Sequence, residues 1–252
     1  MCLVFAAYKY LPGYRLVIVA NRDEFHSRAS ASAAPWDDAH GIIAGRDLEA
    51  GGTWLGVTRA GRFSALTNFR EASAVQANPP SRGALVADFL RTACPTDEYL
   101  STMQRDSARY NGFNLLVDDG DSLGYCSNRD RTFKSLDPGL YGLSNHLLDT
   151  PWPKVTSGKR RLAQLFASGE LPAHAELFGV MADSEIPAQD LLPNTGVSPE
   201  YQRVLSPAFI RSPGYGTRAT TLVGFRYDGS GFLLERSYDA HGRASVTVEH
   251  KF

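Results

Sequence analysis

The sequence predicts an α+β fold in which helices lie outside antiparallel sheets. Strand-like runs bounded by Gly, Pro or Asp turns occur at both ends and in the middle of the chain. Two helical patterns separate the first two groups of strands, and further helical patterns precede the last group. No internal repeat or interdomain linker interrupts this order. Residues 1–252 are therefore expected to form a single domain.

The first predicted element is a hairpin at the N-terminus. Residues 1–8 and 16–20 are apolar and rich in β-branched and aromatic side chains, and the Pro-Gly pair between them favours a turn. The second strand leads into the polar run Asn21-Arg22-Asp23-Glu24. Antiparallel pairing through a short turn would bring this run back beside Cys2.

The remaining elements follow from turn signals and apolar periodicity. Residues 26–52, which are rich in Ser and Gly, are expected to form a loop that serves as a lid or pocket wall. The rest is predicted to run as strands at 53–58 and 62–70, helices at 81–92 and 96–109 with Thr96 as N-cap, strands at 113–117, 122–127 and 139–146, helices from 150 and near 175–181, and closing strands between 216 and 250.

Composition excludes several classes of function. The chain is 43% hydrophobic and 21% charged with a net charge of -1, which is typical of a soluble globular protein and predicts no nucleic-acid partner. It has no apolar run of membrane-spanning length and no secretory signal pattern, so stable membrane insertion is not expected. Three cysteines without paired metal-ligand spacing predict no metal site and a reducing, cytoplasmic location. The expected partner is a small molecule.

Cys2 is the candidate nucleophile. Removal of Met1 would leave Cys2 with both a thiol and a free α-amine, and the usual pKa values of these groups are about 8.5 and about 7.7 to 8.0. The amine can therefore accept the thiol proton near neutral pH. An alternative remains open, in which Cys2 is a small buried hydrophobe and residues 21–24 make ordinary surface ion pairs.

Two asparagines end apolar strand runs. Asn68 follows Leu66-Thr67, and Asn145 follows Leu143-Ser144. A side-chain amide at a strand end can donate into a cavity at the sheet edge. It can equally be a turn residue that caps the strand.

Six short motifs occur in order along nearly the whole chain. They are Met1-Cys2, Asn21-Arg22-Asp23-Glu24, Gly51-Gly52-Thr53-Trp54-Leu55-Gly56, Thr67-Asn68-Phe69, Gly142-Leu143-Ser144-Asn145-His146 and Gly216-Thr217-Arg218. This set of motifs resembles the NRDE family, the transport-and-Golgi-organisation type 2 proteins. The resemblance implies a four-layer αββα sandwich of two antiparallel sheets, similar to the N-terminal-nucleophile hydrolases, and the family has been linked to haem trafficking and to lipid or acyl-CoA homeostasis.

The chain is also similar, more distantly, to the bile-salt hydrolase and penicillin V acylase branch. That similarity implies Cys2 as the nucleophile that attacks an amide. It implies that Asn68 helps to form an oxyanion hole. The other implied site residues are Arg22, Asp23 or Glu24 at the end of the second strand, Asn145, and Arg218 at a late strand start.

Three functions are compatible with these residues. The favoured one is an N-terminal cysteine hydrolase or acyltransferase that acts on a non-peptide C-N amide or thioester and requires no cofactor. The second is a non-enzymatic carrier of haem or acyl lipid, for which Cys2 or one of six histidines could ligate iron: His26, His40, His146, His174, His241 and His250. The third is an interaction protein without chemistry.

Overall fold

The computed structural model describes residues 2–71 and 78–252, and their strands form two antiparallel sheets. The first sheet has the order β10-β1-β2-β12-β13-β14, with the short β11 paired to β12. Its strands are β1 (Cys2–Tyr8), β2 (Tyr14–Phe25), β10 (Gly139–Leu143), β11 (Arg211–Ser212), β12 (Tyr215–Arg226), β13 (Gly231–Tyr238) and β14 (Ala244–Lys251).

The second sheet is a meander in which strands pair in chain order from β3 to β9. Each strand follows its neighbour through a short connection, except where two helices intervene between β6 and β7. Its strands are β3 (Ser30–Pro35), β4 (Ile42–Asp47), β5 (Leu55–Thr58), β6 (Phe63–Asn68), β7 (Phe113–Asp118), β8 (Leu123–Ser127) and β9 (Thr132–Ser135).

Helices cover the outer faces of both sheets. Among the described residues they are α1 (Gly83–Arg91), α2 (Thr96–Asp106), α3 (Pro153–Phe166), α4 (His174–Met181) and α5 (Pro199–Val204). Within residues 2–71 and 78–252, none of the helices combines the length and the apolarity that crossing a bilayer requires.

Three apolar cores separate four layers. Ile18 of β2 and Leu116 of β7 lie in the core between the sheets. Their neighbours along each strand face outward: Val19 packs with α3 and α4, and Leu115 packs with α1 and α2. Because successive side chains of a strand point to opposite faces, both strands are buried on both sides. This layer order confirms the αββα sandwich that the resemblance implies.

The N-terminal hairpin forms as predicted and is longer than expected. Gly13 has a φ of 79°, a conformation that glycine adopts at no steric cost, and it completes the turn between β1 and β2. The second strand does not stop at Ala20 but continues to Phe25. Residues 21–24 therefore belong to a strand, and their side chains alternate between its two faces.

The prediction for residues 26–52 is wrong in its secondary structure. This segment contains β3 and β4 as well as loops. Its Ala, Ser and Gly residues have weak strand propensity, but tertiary packing requires small side chains here. A Cβ on Gly45 would lie 2.3 Å from the Trp54 ring, so Gly45 is what allows that indole to lie on β4.

Several boundaries also differ from the predictions. The strand expected at 139–146 ends at Leu143, so Asn145 follows β10 and does not belong to it, and the helix expected from 150 begins at Pro153. Thr96 is the first residue of α2 rather than its N-cap, and Pro95 holds the N-cap position. Residues 107–109, expected at the end of the same α-helix, form a 3-10 turn. The expected removal of Met1 concerns a residue outside the described part of the chain.

Candidate active site

Cys2 begins β1 and lies directly opposite Arg22 in the pairing with β2. Its side chain shares a strand face with Val4 and Ala6, which belong to the core between the sheets. Only 7% of the residue is exposed. Cys2 therefore lines a cavity and does not lie on the open surface.

The cavity beside Cys2 has a volume of about 290 Å³. The ends of β2 and β6 and the residues that precede α1 form its wall. Of the seven predicted site residues, five line it: Cys2, Arg22, Asp23, Glu24 and Asn68. Other lining residues are Arg28, Asp47, Trp54, Ser81 and Arg82. The wall thus carries charges of both signs around a single thiol.

The electrostatic environment of Cys2 is mixed. Burial raises the pKa of the thiol, the negative charges of Asp23 and Glu24 raise it further, and the positive charge of Arg22 lowers it. The Arg22 guanidinium is held in place because it stacks over the Trp54 ring at 4.1 Å and donates to Ser30 Oγ at 3.4 Å. Ionisation of Cys2 therefore needs a base to take the proton, since its surroundings favour the neutral thiol.

Asp23 and Glu24 lie on opposite faces of β2. Asp23 accepts a hydrogen bond of 2.7 Å from Thr217 Oγ1 of β12, and burial raises the pKa of its carboxyl. Glu24 shares the strand face of Arg22, toward Cys2 and the second sheet. Its Oε1 accepts a bond of 2.9 Å from the Phe25 main-chain N–H. The two acids therefore affect Cys2 from different sides of the first sheet.

A group of buried cations faces Asp23 from the helix side. Lys154, in the first turn of α3, donates to the carbonyls of Leu205 at 2.9 Å and Pro207 at 3.4 Å. Burial lowers the pKa of Lys154 to about 8, and the charge of Asp23 opposes that shift. Burial likewise lowers the pKa of Arg70 to about 10, and its Nη1 donates to Gln202. These cations favour the ionised form of the Asp23 carboxyl.

Asn68 and Asn145 are linked, but only Asn68 lines the cavity. Asn145 Nδ2 donates to the main-chain oxygen of Asn68 at 2.9 Å, and the carbonyl of Asn145 accepts from the Arg70 N–H at 2.7 Å. Asn145 is fully buried and so supports the end of β6. The amide of Asn68 remains the one that can donate to a group bound beside Cys2.

Arg218 lies outside the Cys2 cavity. It is the extra residue of a β-bulge between Thr217 and Ala219, and its Nη1 donates to the carbonyls of Phe25, His26 and Arg28. The side chain lines a neighbouring cavity of about 130 Å³ that shares Arg22 and Trp54 with the first one. Its observed contacts hold the turn that follows β2, which places it behind Arg22 and not beside the thiol.

Arg82, Lys154 and Arg70 are absent from the predicted site residues. Arg82 lines the Cys2 cavity, and Lys154 and Arg70 face Asp23 from the helix side of the sheet. The one sequence signal for Arg82 is the pair of glycines at 51–52 together with Gly83, because these residues permit close backbone contact at the start of α1. Lys154 had no signal beyond its place in a predicted helix.

Sequence comparison identifies the family. Residues 1–240 match the family model described as Transport and Golgi organisation 2. The chain belongs to this family. The Transport and Golgi organization protein 2 homolog of Homo sapiens is 34% identical over 257 residues, which are 94% of this chain and 93% of the human protein. The Bos taurus homolog is 36% identical over 261 residues, with the same shares of both chains.

Solved structures place this Transport and Golgi organisation 2 family member among proteins of N-terminal-nucleophile hydrolase-like fold. A Caenorhabditis elegans ortholog of N-acylethanolamine-hydrolyzing acid amidase aligns with a TM-score of 0.51 and 11% identity, covering 88% of this chain and 92% of that one. The C2A mutant of the conjugated bile acid hydrolase from Clostridium perfringens aligns with a TM-score of 0.52 and 8% identity, covering 98% and 92%. At such identities the likeness shows the fold alone.

Proposed function

We propose that this protein is an N-terminal cysteine hydrolase or acyltransferase, acting on a non-peptide C-N amide or a thioester of a small apolar or acyl substrate. The observation that carries the proposal is the cavity at the end of the N-terminal hairpin, which Cys2, Arg22 and Asn68 all line. The two structural neighbours, an acid amidase and a conjugated bile acid hydrolase, support amide chemistry by analogy.

In the proposed reaction, removal of Met1 frees the α-amine of Cys2. The amine takes the thiol proton, and the thiolate attacks the substrate carbonyl carbon to form a C–S bond. Collapse of the tetrahedral intermediate breaks the C–N bond, and the α-ammonium returns its proton to the leaving nitrogen. Water then hydrolyses the thioester, which releases a carboxylic acid and the thiol. An amine acceptor in place of water gives acyl transfer.

The other cavity residues have supporting roles in this proposal. Asn68 Nδ2 donates to the oxyanion, a type of contact worth about 3 kcal/mol of transition-state stabilisation in other enzymes. Arg22 stabilises the thiolate, which offsets part of the effect of burial on the pKa of Cys2. Asp23, held by Thr217, would interact with the α-ammonium from the helix side of the sheet.

The test is the intact mass of untagged protein before and after incubation with a p-nitrophenyl ester near neutral pH. We expect loss of Met1 and a single acyl adduct that is absent in Cys2→Ala. Cys94→Ala is the matched control because Cys94 is a free thiol that is less buried than Cys2. Retained Met1, or an adduct that disappears in Cys94→Ala instead, would refute the mechanism.

One observation favours the alternative of a non-enzymatic carrier of haem or acyl lipid. Burial raises the pKa of Cys2, so the thiol favours its neutral form when no base is present. For haem, the described lining of this cavity offers a thiol and no imidazole, so Cys2 would be the candidate axial ligand there. A carrier of acyl lipid would bind its ligand equally well in the parent and in Cys2→Ala and would release it unchanged from both. Recovery of cleaved ligand from the parent alone, after equilibrium dialysis, would indicate the hydrolase instead.

A further inference from the structure

Arg82 is a cation on the cavity wall that has few partners of its own. Its Nη1 donates to the Gly112 carbonyl at 2.9 Å. Within the described parts of the chain, 2–71 and 78–252, no carboxylate oxygen lies within 4.0 Å of its guanidinium nitrogens. A guanidinium has five N–H donors in a planar fork, so most of its donors are available to a bound molecule.

The other two arginines on the same wall are already engaged. Arg28 forms ion pairs with Asp47 at 2.8 Å and with Glu49 at 3.5 Å. Arg22 stacks on the Trp54 ring and lies opposite the Cys2 thiol in the β1–β2 pairing. The charge of Arg28 is therefore balanced by Asp47 and Glu49, and the charge of Arg22 acts on the Cys2 thiol, whose pKa it lowers.

Nearby acids do not balance the charge of Arg82. Glu71 makes a bidentate ion pair with Arg129, and Glu24 accepts a hydrogen bond from the main-chain N–H of Phe25. Arg82 is nonetheless largely surrounded by protein, and this burial lowers its pKa. A cation in that position gains most from an anion that enters the cavity, because ion pairing there is screened less than at the open surface.

The backbone of Arg82 is also held rigidly. The next residue, Gly83, accepts from the Thr53 N–H at 3.3 Å, and a Cβ on Gly52 would lie 2.5 Å from the Gly83 carbonyl carbon. The loop between β4 and β5 is thus in direct backbone contact with the start of α1. A side chain on such a support is positioned before the ligand arrives, which lowers the entropic cost of binding.

We propose that Arg82 determines substrate specificity by binding a carboxylate of the substrate, and that the substrate class is small anionic amides with an apolar acyl or alkyl chain. The carboxylate would accept two parallel N–H bonds from the guanidinium while the scissile carbonyl lies between Cys2 and Asn68. This inference rests on the proposed function for the scissile bond, but anion binding by Arg82 can be measured without turnover.

The experiment measures dissociation constants by calorimetry on Cys2→Ala protein, which keeps Arg82 and cannot acylate. Two isosteric pairs of probes are used: N-hexanoylglycine with N-hexanoylglycinamide, and N-hexylsuccinamic acid with N-hexylsuccinamide. The first pair carries the carboxylate on the amine side of the amide, and the second carries it on the acyl side. We expect the acid of one pair to bind about 10- to 100-fold more tightly than its neutral partner, as for a hydrogen-bonded charge pair.

Adding Arg82→Gln should abolish this preference and leave the affinity for the neutral probe unchanged. Arg82→Lys should keep part of it, because an ammonium keeps the charge but loses the planar fork. Arg28→Gln is the matched control: it removes the same charge from the same wall, yet its guanidinium already has carboxylate partners. We expect the acid preference to survive in Arg28→Gln.

Equal loss of preference in Arg82→Gln and Arg28→Gln would show a general charge effect and would overturn the inference. An equal affinity for the acid and the neutral amide in both probe pairs would overturn it as well. The proposed function fails separately: if the p-nitrophenyl ester neither leaves an adduct on Cys2 nor releases p-nitrophenolate faster than with Cys2→Ala, while the acid preference depends on Arg82, the cavity is an anion-binding site without the hydrolase.

Discussion

The contact between the β4–β5 loop and the start of α1 predicts that Gly52→Ala will be strongly destabilising. Gly52 has no positive φ, so its backbone conformation is open to alanine and the cost is steric. The added Cβ would lie 2.5 Å from the Gly83 carbonyl carbon and 2.7 Å from its oxygen. Both atoms belong to backbone, and no rotation of a side chain can relieve the contact.

The size of the effect follows from two contributions. Forcing an extra carbon into a packed site costs about 1 to 3 kcal/mol. Moving α1 away also weakens the hydrogen bond from the Thr53 N–H to the Gly83 carbonyl, which contributes roughly 1 kcal/mol. We expect the free energy of unfolding to fall by about 2 to 4 kcal/mol, and Arg82, which precedes Gly83, to be displaced with the helix.

The assay is urea denaturation, combined with the ratio of acid to neutral probe affinity as a measure of the position of Arg82. Gly179→Ala is the control, because Gly179 is an exposed residue of α4 and a Cβ there would have no atom within 4 Å. That substitution should stabilise the protein by about 0.5 to 1 kcal/mol. If Gly52→Ala unfolds at the same urea concentration as the parent, the close contact with Gly83 does not constrain the site.

Two further predictions concern charge. Arg22→Gln should slow iodoacetamide alkylation of Cys2 at pH 8, because Arg22 lowers the thiol pKa, while Glu24→Gln should accelerate it; rates that change in the same direction would contradict this. Lys154 has a native pKa of about 8, below its unfolded value of about 10.5, so the unfolded state binds more protons between these values and stability rises with pH. Relative to Lys154→Met, the free energy of unfolding of the parent, measured by urea denaturation, should increase by about 2 kcal/mol from pH 7 to 9.5. If the difference between the two proteins stays constant over this range, burial does not lower the pKa of Lys154.

The hairpin that carries the candidate nucleophile was predictable because its signals are local. Two apolar runs and a Pro-Gly turn are enough to place Cys2 beside Arg22, and the structure pairs these residues. Residues 30–47 were predicted as loop because their strand formation is not local: β3 has the sequence Ser-Ala-Ser-Ala-Ala-Pro. Its small side chains become useful only when the second sheet packs on the first.

The residues that sequence reasoning missed share a different property. Arg82 reaches the cavity because Gly52 and Gly83 let α1 approach the β4–β5 loop, and Lys154 reaches Asp23 because α3 packs on β1. The second contact depends on Gly158, where a Cβ would lie 2.2 Å from the Phe5 ring. Such contacts join segments far apart in the chain, and a single sequence contains no spacing or motif that reports them.

The alternation of β2 gives the polar run 21–24 two separate tasks. Asn21 donates to the carbonyls of Met181 and Ala208 and so links β2 to the helix layer. Asp23 lies on the same face of β2 and accepts a hydrogen bond from Thr217. Arg22 and the strand position of Glu24 belong to the other face, toward Cys2. The four polar residues 21–24 therefore do not all act on Cys2 from one side. Both acids raise the pKa of the Cys2 thiol, but only Asp23 lies where, in the proposed mechanism, it would also interact with the amine of residue 2. Glu24→Gln should therefore only accelerate alkylation of Cys2, whereas Asp23→Asn should also impair the step of turnover that needs the α-amine.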